Sequence, residues 1–238
     1  MDAKYKGFAA TPRNGKAVEI NALWYNALMI MSELTKKYLK IGKRIESKRY
    51  EDMAEKCKES FEEKFYNPKR KCLYDVLGDN KIRPNQLFAL SLTYPVIEPN
   101  SDIAYNIINT VEKKLLNNYG LKSLAKGEPN YIETYEGDSF KRDMSYHQGI
   151  TWTWLVGLYY DALRNMIKLE KRKTYKTKLE EKLKTFVEKI TKTFEKEVEQ
   201  RGCIGSIAEI YDSTKPYAPK GTIAQAWSVA EILRIVSH

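Results

Sequence analysis

Residues 168–199 read KLEKRKTYKTKLEEKLKTFVEKITKTFEKEVE. The apolar residues Leu179, Leu183, Phe186, Ile190 and Phe194 recur at intervals of three and four, which sets them on one face of an α-helix. Lys and Glu fill most of the remaining positions, as on a solvated face laced with charge pairs. The same period recurs on either side of this stretch. Ile20, Leu23, Ala27, Met31, Leu34 and Tyr38 predict a helix over residues 18–39, and Tyr50, Met53, Cys57, Phe61 and Phe65 a second that Asn67-Pro68 stops. Pro84 opens a short third helix through Leu92. Ser101 or Asn100 caps a fourth carrying Ile103, Ile107, Val111 and Leu115. A fifth is expected over 147–168 and the last over 223–236.

Strand signals are nearly absent, so the fold class is all-α. The long connections, residues 1–15, 66–84, 120–146 and 202–221, are rich in Gly, Pro, Tyr, Asp and Glu. Long irregular loops in a helical protein are usually functional or disordered, and the many aromatic and charged residues in these favour ordered, functional ones. Helical hairpins whose long loops gather at one end suggest a barrel or toroid of paired helices. With no repeat and no linker, residues 1–238 read as a single domain.

Composition narrows the function classes. The chain has 238 residues, 42% hydrophobic and 30% charged, an ordinary folded mixture. Its net charge of +10 invites a nucleic-acid reading, but the lysines alternate with glutamates instead of clustering, so no nucleic-acid partner is expected. No apolar run approaches the roughly 18 residues of a bilayer span, and residues 1–10 lack a signal-peptide pattern. Three scattered cysteines and two histidines give neither a disulfide framework nor metal-ligand spacing. The expectation is a cytoplasmic chain with reduced thiols, no membrane partner, no metal and no organic cofactor.

The chemistry-bearing residues collect at loop-to-helix junctions: Arg13, Arg83, Asp143 and His147, Glu209 and Asp212. Trp24, Tyr25, Trp152, Trp154 and Trp227 accompany them. Flat aromatic rings beside carboxylates suit a sugar, whose C–H face stacks while its hydroxyls take hydrogen bonds. Each residue also has a structural reading. Trp24 and Trp227 fall at core spacing, His147 with Asp143 could cap a helix, and Asp212 could make a turn.

The strings TPRNGKAVEINALWYNAL (11–28), CLYDVL (72–77), IRPNQLFALSL (82–92), YGLKSL (119–124), RDMSYHQGITWTWL (142–155), CIGSIAEIYD (203–212) and AQAWSVAEIL (224–233) follow in this order. Together they resemble the C-terminal amylo-α-1,6-glucosidase domain of glycogen-debranching enzymes, over nearly the whole chain. That resemblance implies an (α/α)6 toroid and release of the α-1,6-linked glucose stub at a glycogen branch point, with inversion. Inversion uses two carboxyl groups, one protonating the departing oxygen and one activating water, roughly 6.5–9.5 Å apart. The family's acid lies in a T-W-M-D-A-K segment, which Met1-Asp2-Ala3-Lys4 resembles, so Asp2 is the implied acid. The family's base segment is similar to SIAEIYD, which implies Glu209. By the same resemblance Arg13, Trp24, Arg83, Gln86, Asp143, His147 and Trp154 are expected to contact the sugar.

Two departures qualify this expectation. A complete toroid needs about a dozen helices and this sequence predicts seven, so the toroid is expected to be incomplete. An upstream polypeptide supplying the other helices is then an expected partner beside glycogen or another branched α-glucan. Glucose release by the chain alone is in question, because Asp2 would sit on a loose terminus. The family's H-Q-G-T-V-W-P-W also appears as residues 147–154, HQGITWTW, and its P-R-G-C as PKGT (219–222), where Lys220 lacks a guanidinium's two-pronged fork. A non-catalytic partner, or another toroid α-glucosidase such as a glucoamylase, are the alternatives.

Overall fold

The computed structural model describes residues 4–38 and 44–237. Its α-helices are α1 (Val18–Tyr38), α2 (Arg44–Phe65), α3 (Phe88–Ser91), α4 (Asp102–Lys114), α5 (Ser139–Tyr146), α6 (Val156–Leu169), α7 (Lys173–Gln200) and α8 (Ala226–Val236). A 3-10 turn, Pro84–Leu87, leads directly into α3. Local chemistry sets several boundaries. The Ser101 hydroxyl accepts the Ala104 N–H at 3.2 Å to cap α4, and Asp138 accepts the Lys141 N–H at 2.9 Å to cap α5. Among the described residues no helix is long and apolar enough to cross a membrane.

The helices form a row in two layers. Helix α1 packs on α3, α3 on α6, and α6 on α8, while α2 backs α1 and α7 backs α6 and α8. Between the layers runs one apolar cluster that includes Leu28, Phe61, Leu90, Ile107, Tyr159, Leu163 and Phe194. Each large side chain buried there contributes about 1.5–3 kcal/mol of transfer free energy.

Three features depart from the sequence reading. Helix α6 begins at Val156, not at His147. Thr151 and Trp152, β-branched and aromatic, form a strand instead. Helix α5 occupies part of what reads as loop, and α8 begins at Ala226. Short strands also exist where the sequence signals almost none. β1 (Lys4–Tyr5) pairs with β2 (Phe8–Ala9) and β3 (Tyr66–Asn67) with β4 (Cys72–Leu73), while β5 (Leu121–Lys122), β6 (Thr151–Trp152), β7 (Ile210–Tyr211) and β8 (Pro219–Lys220) pair antiparallel in that order. Gly120, at φ +151°, permits the β5–β6 approach: a Cβ there would lie 2.3 Å from the Trp152 carbonyl oxygen. This small sheet ties together the long loops that carry the candidate site.

Candidate active site

Glu209 immediately precedes β7, and the register pairs its neighbour Ile210 with Trp152 on one side and Lys220 on the other. The backbone continues the hairpin, the Glu209 N–H donating to the Thr222 carbonyl at 2.9 Å. Glu209 is 9% exposed, and its carboxylate is held at both oxygens. The Tyr146 hydroxyl donates to Oε1 at 2.5 Å, and the Thr222 N–H donates to Oε2 at 3.0 Å. Burial first, then the Glu209 carboxylate, push the Tyr146 hydroxyl well above the usual phenol range, so it stays a proton donor. Glu209 lines an open cleft of about 640 Å³ with Tyr135, Glu136, Arg142, Lys220 and Thr222.

Tyr146 links this cleft to an aromatic one. Its ring lies 4.7 Å from those of His147 and Trp152, and the Trp152 indole N–H donates to the Tyr146 carbonyl at 3.1 Å. His147 stacks on Trp152 at 5.2 Å, Trp152 meets Trp227 edge-on at 6.1 Å, and Trp227 stacks on Trp154 at 5.4 Å. His147, Trp152, Trp154 and Trp227 line a cavity of about 280 Å³ with Arg13, Glu19, Asn85 and Phe88. A chain of ring contacts therefore runs from the Glu209 carboxylate to the Trp154–Trp227 pair. Burial, with the charges of Arg83 and Arg13 adding to it, holds the His147 imidazole neutral, its pKa lowered to about 3.

A buried carboxylate organises the floor beside this cavity. Asp75, 2% exposed, accepts from the Arg13 Nε at 2.7 Å and from the Asn85 amide at 2.8 Å, with the Arg83 Nε at 3.7 Å. Arg13 also grips Glu19 with two nitrogens, at 2.5 and 2.7 Å. Burial opposes the Arg13 charge, but the Glu19 and Asp75 carboxylates outweigh it and hold the guanidinium firmly protonated.

The other residues singled out in the sequence fall in several places. Arg83 is buried and spends its terminal nitrogens on the Ser123 and His147 carbonyls, at 3.0 and 2.6 Å, and on the Gln148 amide oxygen at 2.8 Å. Gln86 is buried beside it, donating to the Arg83 carbonyl and accepting from the Leu73 N–H. Asp143 stands half-buried on α5. Trp24 lines a different cavity, between α1 and α2. Asp212 accepts the Tyr135 N–H at 2.8 Å, fastening the loop before α5 to the strand beside Glu209. Asp2, the implied acid, lies outside the described residues.

The sequence reading did not single out Tyr146, Asp75 or Gly221. The first two stand inside quoted motifs, Tyr146 directly before His147 and Asp75 in CLYDVL, yet no spacing marks them as the partners of Glu209 and Arg13.

Comparison with known proteins adds three findings. The profile of the amylo-alpha-1,6-glucosidase family matches residues 1–234. A glycogen debranching enzyme from Saccharomyces cerevisiae (strain ATCC 204508 / S288c) is 27% identical, the match covering 67% of this chain and 12% of that enzyme. A solved sialidase structure superposes with a TM-score of 0.66 at 16% identity, covering 94% of this chain and 20% of that one; at such identity the likeness speaks for the fold alone. This chain thus spans a small part of the proteins it matches. The profile match extends over nearly every residue that builds the Glu209 cleft and the aromatic cavity, and the chain belongs to the amylo-α-1,6-glucosidase family.

Proposed function

We propose that this chain carries the base half of an inverting glycosidase site that releases glucose from α-1,6 branch points of a glycogen-like glucan. The observation that carries this reading is the Glu209 carboxylate, fixed by the Tyr146 hydroxyl and the Thr222 amide at one end of a continuous chain of aromatic rings. In inversion the base must hold a water against the sugar face opposite the departing oxygen. A carboxylate with both oxygens anchored, at the rim of an open cleft, is placed for that. The rings of Trp154 and Trp227 offer stacking faces for glucosyl units, with buried Trp152 supporting them from behind, and Arg13 and His147 offer polar contacts at the same cavity. Neutral His147 suits a sugar hydroxyl better than a buried imidazolium would. Arg83 and Gln86 act by holding the backbone around His147 and Leu73. Asp2 supplies the acid by family resemblance, and Asp143 faces the sugar from α5. The reaction takes place in the cytoplasm.

The same reading gives the chain a helical partner. The ends of the helix row, α1 and α8, carry uncovered apolar faces, and further helices of the toroid, from an upstream polypeptide, would cover them.

The test is glucose release from a phosphorylase-limit dextrin by the chain joined to the helices that complete its toroid. Glu209→Gln is expected to lower kcat by about 10²–10⁴-fold, the usual contribution of a general base, while leaving dextrin binding intact. The anomer of the released glucose should be β. Full activity in the variant would remove Glu209 from the reaction. Dextrin binding without any glucose release by the completed wild-type protein would leave a non-catalytic glucan-binding unit.

A further inference from the structure

Helices α1 and α2 enclose a cavity of about 370 Å³, apart from the two clefts already described. That volume falls in the range of about 300–1,000 Å³ typical of small-molecule sites. Its floor is apolar, made by Met53, Phe61, Phe65 and Leu77, and the Trp24 indole, 51% exposed, forms part of its wall. Three lysines stand at its edge: Lys16 from the segment before α1, and Lys56 and Lys64 from α2. Among the described residues none of the three has an ion-pair partner, whereas Lys36, Lys48 and Lys58 nearby are each paired with a carboxylate.

The helix sequence explains this segregation. Met53, Lys56, Cys57, Ser60, Phe61 and Lys64 recur at three and four and share one face of α2. The acids Glu51, Glu55 and Glu62 fall on the opposite face, while Asp52, Glu59 and Glu63 flank this one on the Lys56 side. No carboxylate lines the cavity. The cavity wall therefore departs from the even mixture of Lys and Glu seen along the rest of the chain. Three unneutralised ammonium groups around a hollow attract an anion, and an exposed indole beside them offers a flat apolar face.

We propose that this cavity binds a phosphorylated sugar. The ammonium groups of Lys16, Lys56 and Lys64 take the phosphate, the Trp24 indole takes the C–H face of the ring, and the side chains of Asn21 and Ser60 are the neutral polar groups available to its hydroxyls. The few neutral polar groups leave little to read the edge of a nucleobase, which favours a sugar over a nucleotide. The site adjoins the aromatic cavity through α1, whose Glu19 lines one and whose Asn21 and Trp24 line the other. Only the expectation that the sugar is a glucose unit rests on the glucosidase reading.

The experiment is calorimetric titration of the full chain at low ionic strength with glucose 6-phosphate, inorganic phosphate, glucose and AMP. Glucose 6-phosphate is expected to bind one to one and at least about tenfold tighter than phosphate or glucose, since it engages both halves of the site. Lys56→Ala with Lys64→Ala should weaken it by at least about tenfold, with the thermal midpoint unchanged because both side chains are exposed. Trp24→Ala should weaken glucose 6-phosphate and leave phosphate unaffected, and Trp24→Phe should restore most of the loss. A phosphorylated malto-oligosaccharide binding tighter than glucose 6-phosphate would assign the site to phosphorylated glucan, and the reverse order to the free sugar phosphate. Three outcomes would overturn the proposal: glucose 6-phosphate no tighter than phosphate, AMP tighter than glucose 6-phosphate, or the lysine variant binding like the wild type. None of these readouts uses glucose release, so the site stands or falls apart from the catalytic role of Glu209.

Discussion

Gly221 is the residue on which the position of Glu209 depends most directly. It has φ +70°, and a Cβ at this position would lie 2.4 Å from the Glu209 Oε2 and 3.2 Å from the Glu209 Cβ. The Oε2 in question is the one that accepts the Thr222 N–H. Gly221→Ala therefore meets two costs together, a backbone conformation that L-residues avoid and a collision with the carboxylate. The expected destabilisation exceeds about 1 kcal/mol in urea unfolding, and glucose release by the completed protein should fall far more than stability does. A variant with wild-type release would mean that the carboxylate can leave its hairpin without consequence. Nothing in PKGT announces this role: the sequence shows a glycine beside a lysine, and only the β7–β8 register brings that glycine against Glu209.

At the scale of elements, the joint between α7 and the small sheet is built on a buried acid. Glu197, 1% exposed in the last turn of α7, accepts the Tyr211 hydroxyl at 3.1 Å, and the Arg201 guanidinium stands 3.4 Å from its other oxygen. Burial nevertheless outweighs both partners and raises the Glu197 pKa above its ordinary 4.5. Below that value the carboxyl is protonated in both native and unfolded chains, and the shift costs nothing. As the pH rises past 4.5 the unfolded chain ionises first, so native stability is lost progressively towards neutrality. Glu197→Gln has no such loss. Its stability relative to wild type should improve between pH 4 and pH 7 in urea unfolding, and a constant or opposite difference would show that Arg201 dominates instead. The apolar stripe of α7 was plain in the sequence because Leu179, Phe186, Ile190 and Phe194 repeat over a long stretch and are buried as that repeat requires. Strands of two residues were not legible, because so short a run carries no alternation. Their partners come from three separated loops, and their stability comes from that convergence. The same convergence hid Tyr146 as the donor to Glu209, across 63 residues of chain.

The whole molecule shows where periodicity misleads even when it identifies a helix correctly. Ile20, Leu23, Ala27, Met31, Leu34 and Tyr38 define α1 in the sequence, yet all six are exposed. The face that α1 buries is another one, carrying Val18, Ala22, Tyr25, Leu28, Ser32 and Thr35. A helix apolar on both faces is one that is covered on both. Helix α8 repeats the pattern at the far end of the row, with Ser228, Ile232 and Ile235 buried and Trp227, Leu233 and Val236 exposed. Unlike scattered surface leucines, these faces sit at the two ends of one arc of helices, where a closed toroid would continue. Replacing Ile20, Leu34 and Leu233 with Gln tests this. Each is more than two-fifths exposed, so each change should alter unfolding free energy by within about 0.5 kcal/mol. Self-association of the chain in sedimentation velocity should fall in the triple variant, and binding to a polypeptide carrying the remaining helices should weaken. A wild-type chain that sediments as a monomer at every concentration and binds no such polypeptide would show that α1 and α8 face water in the working protein.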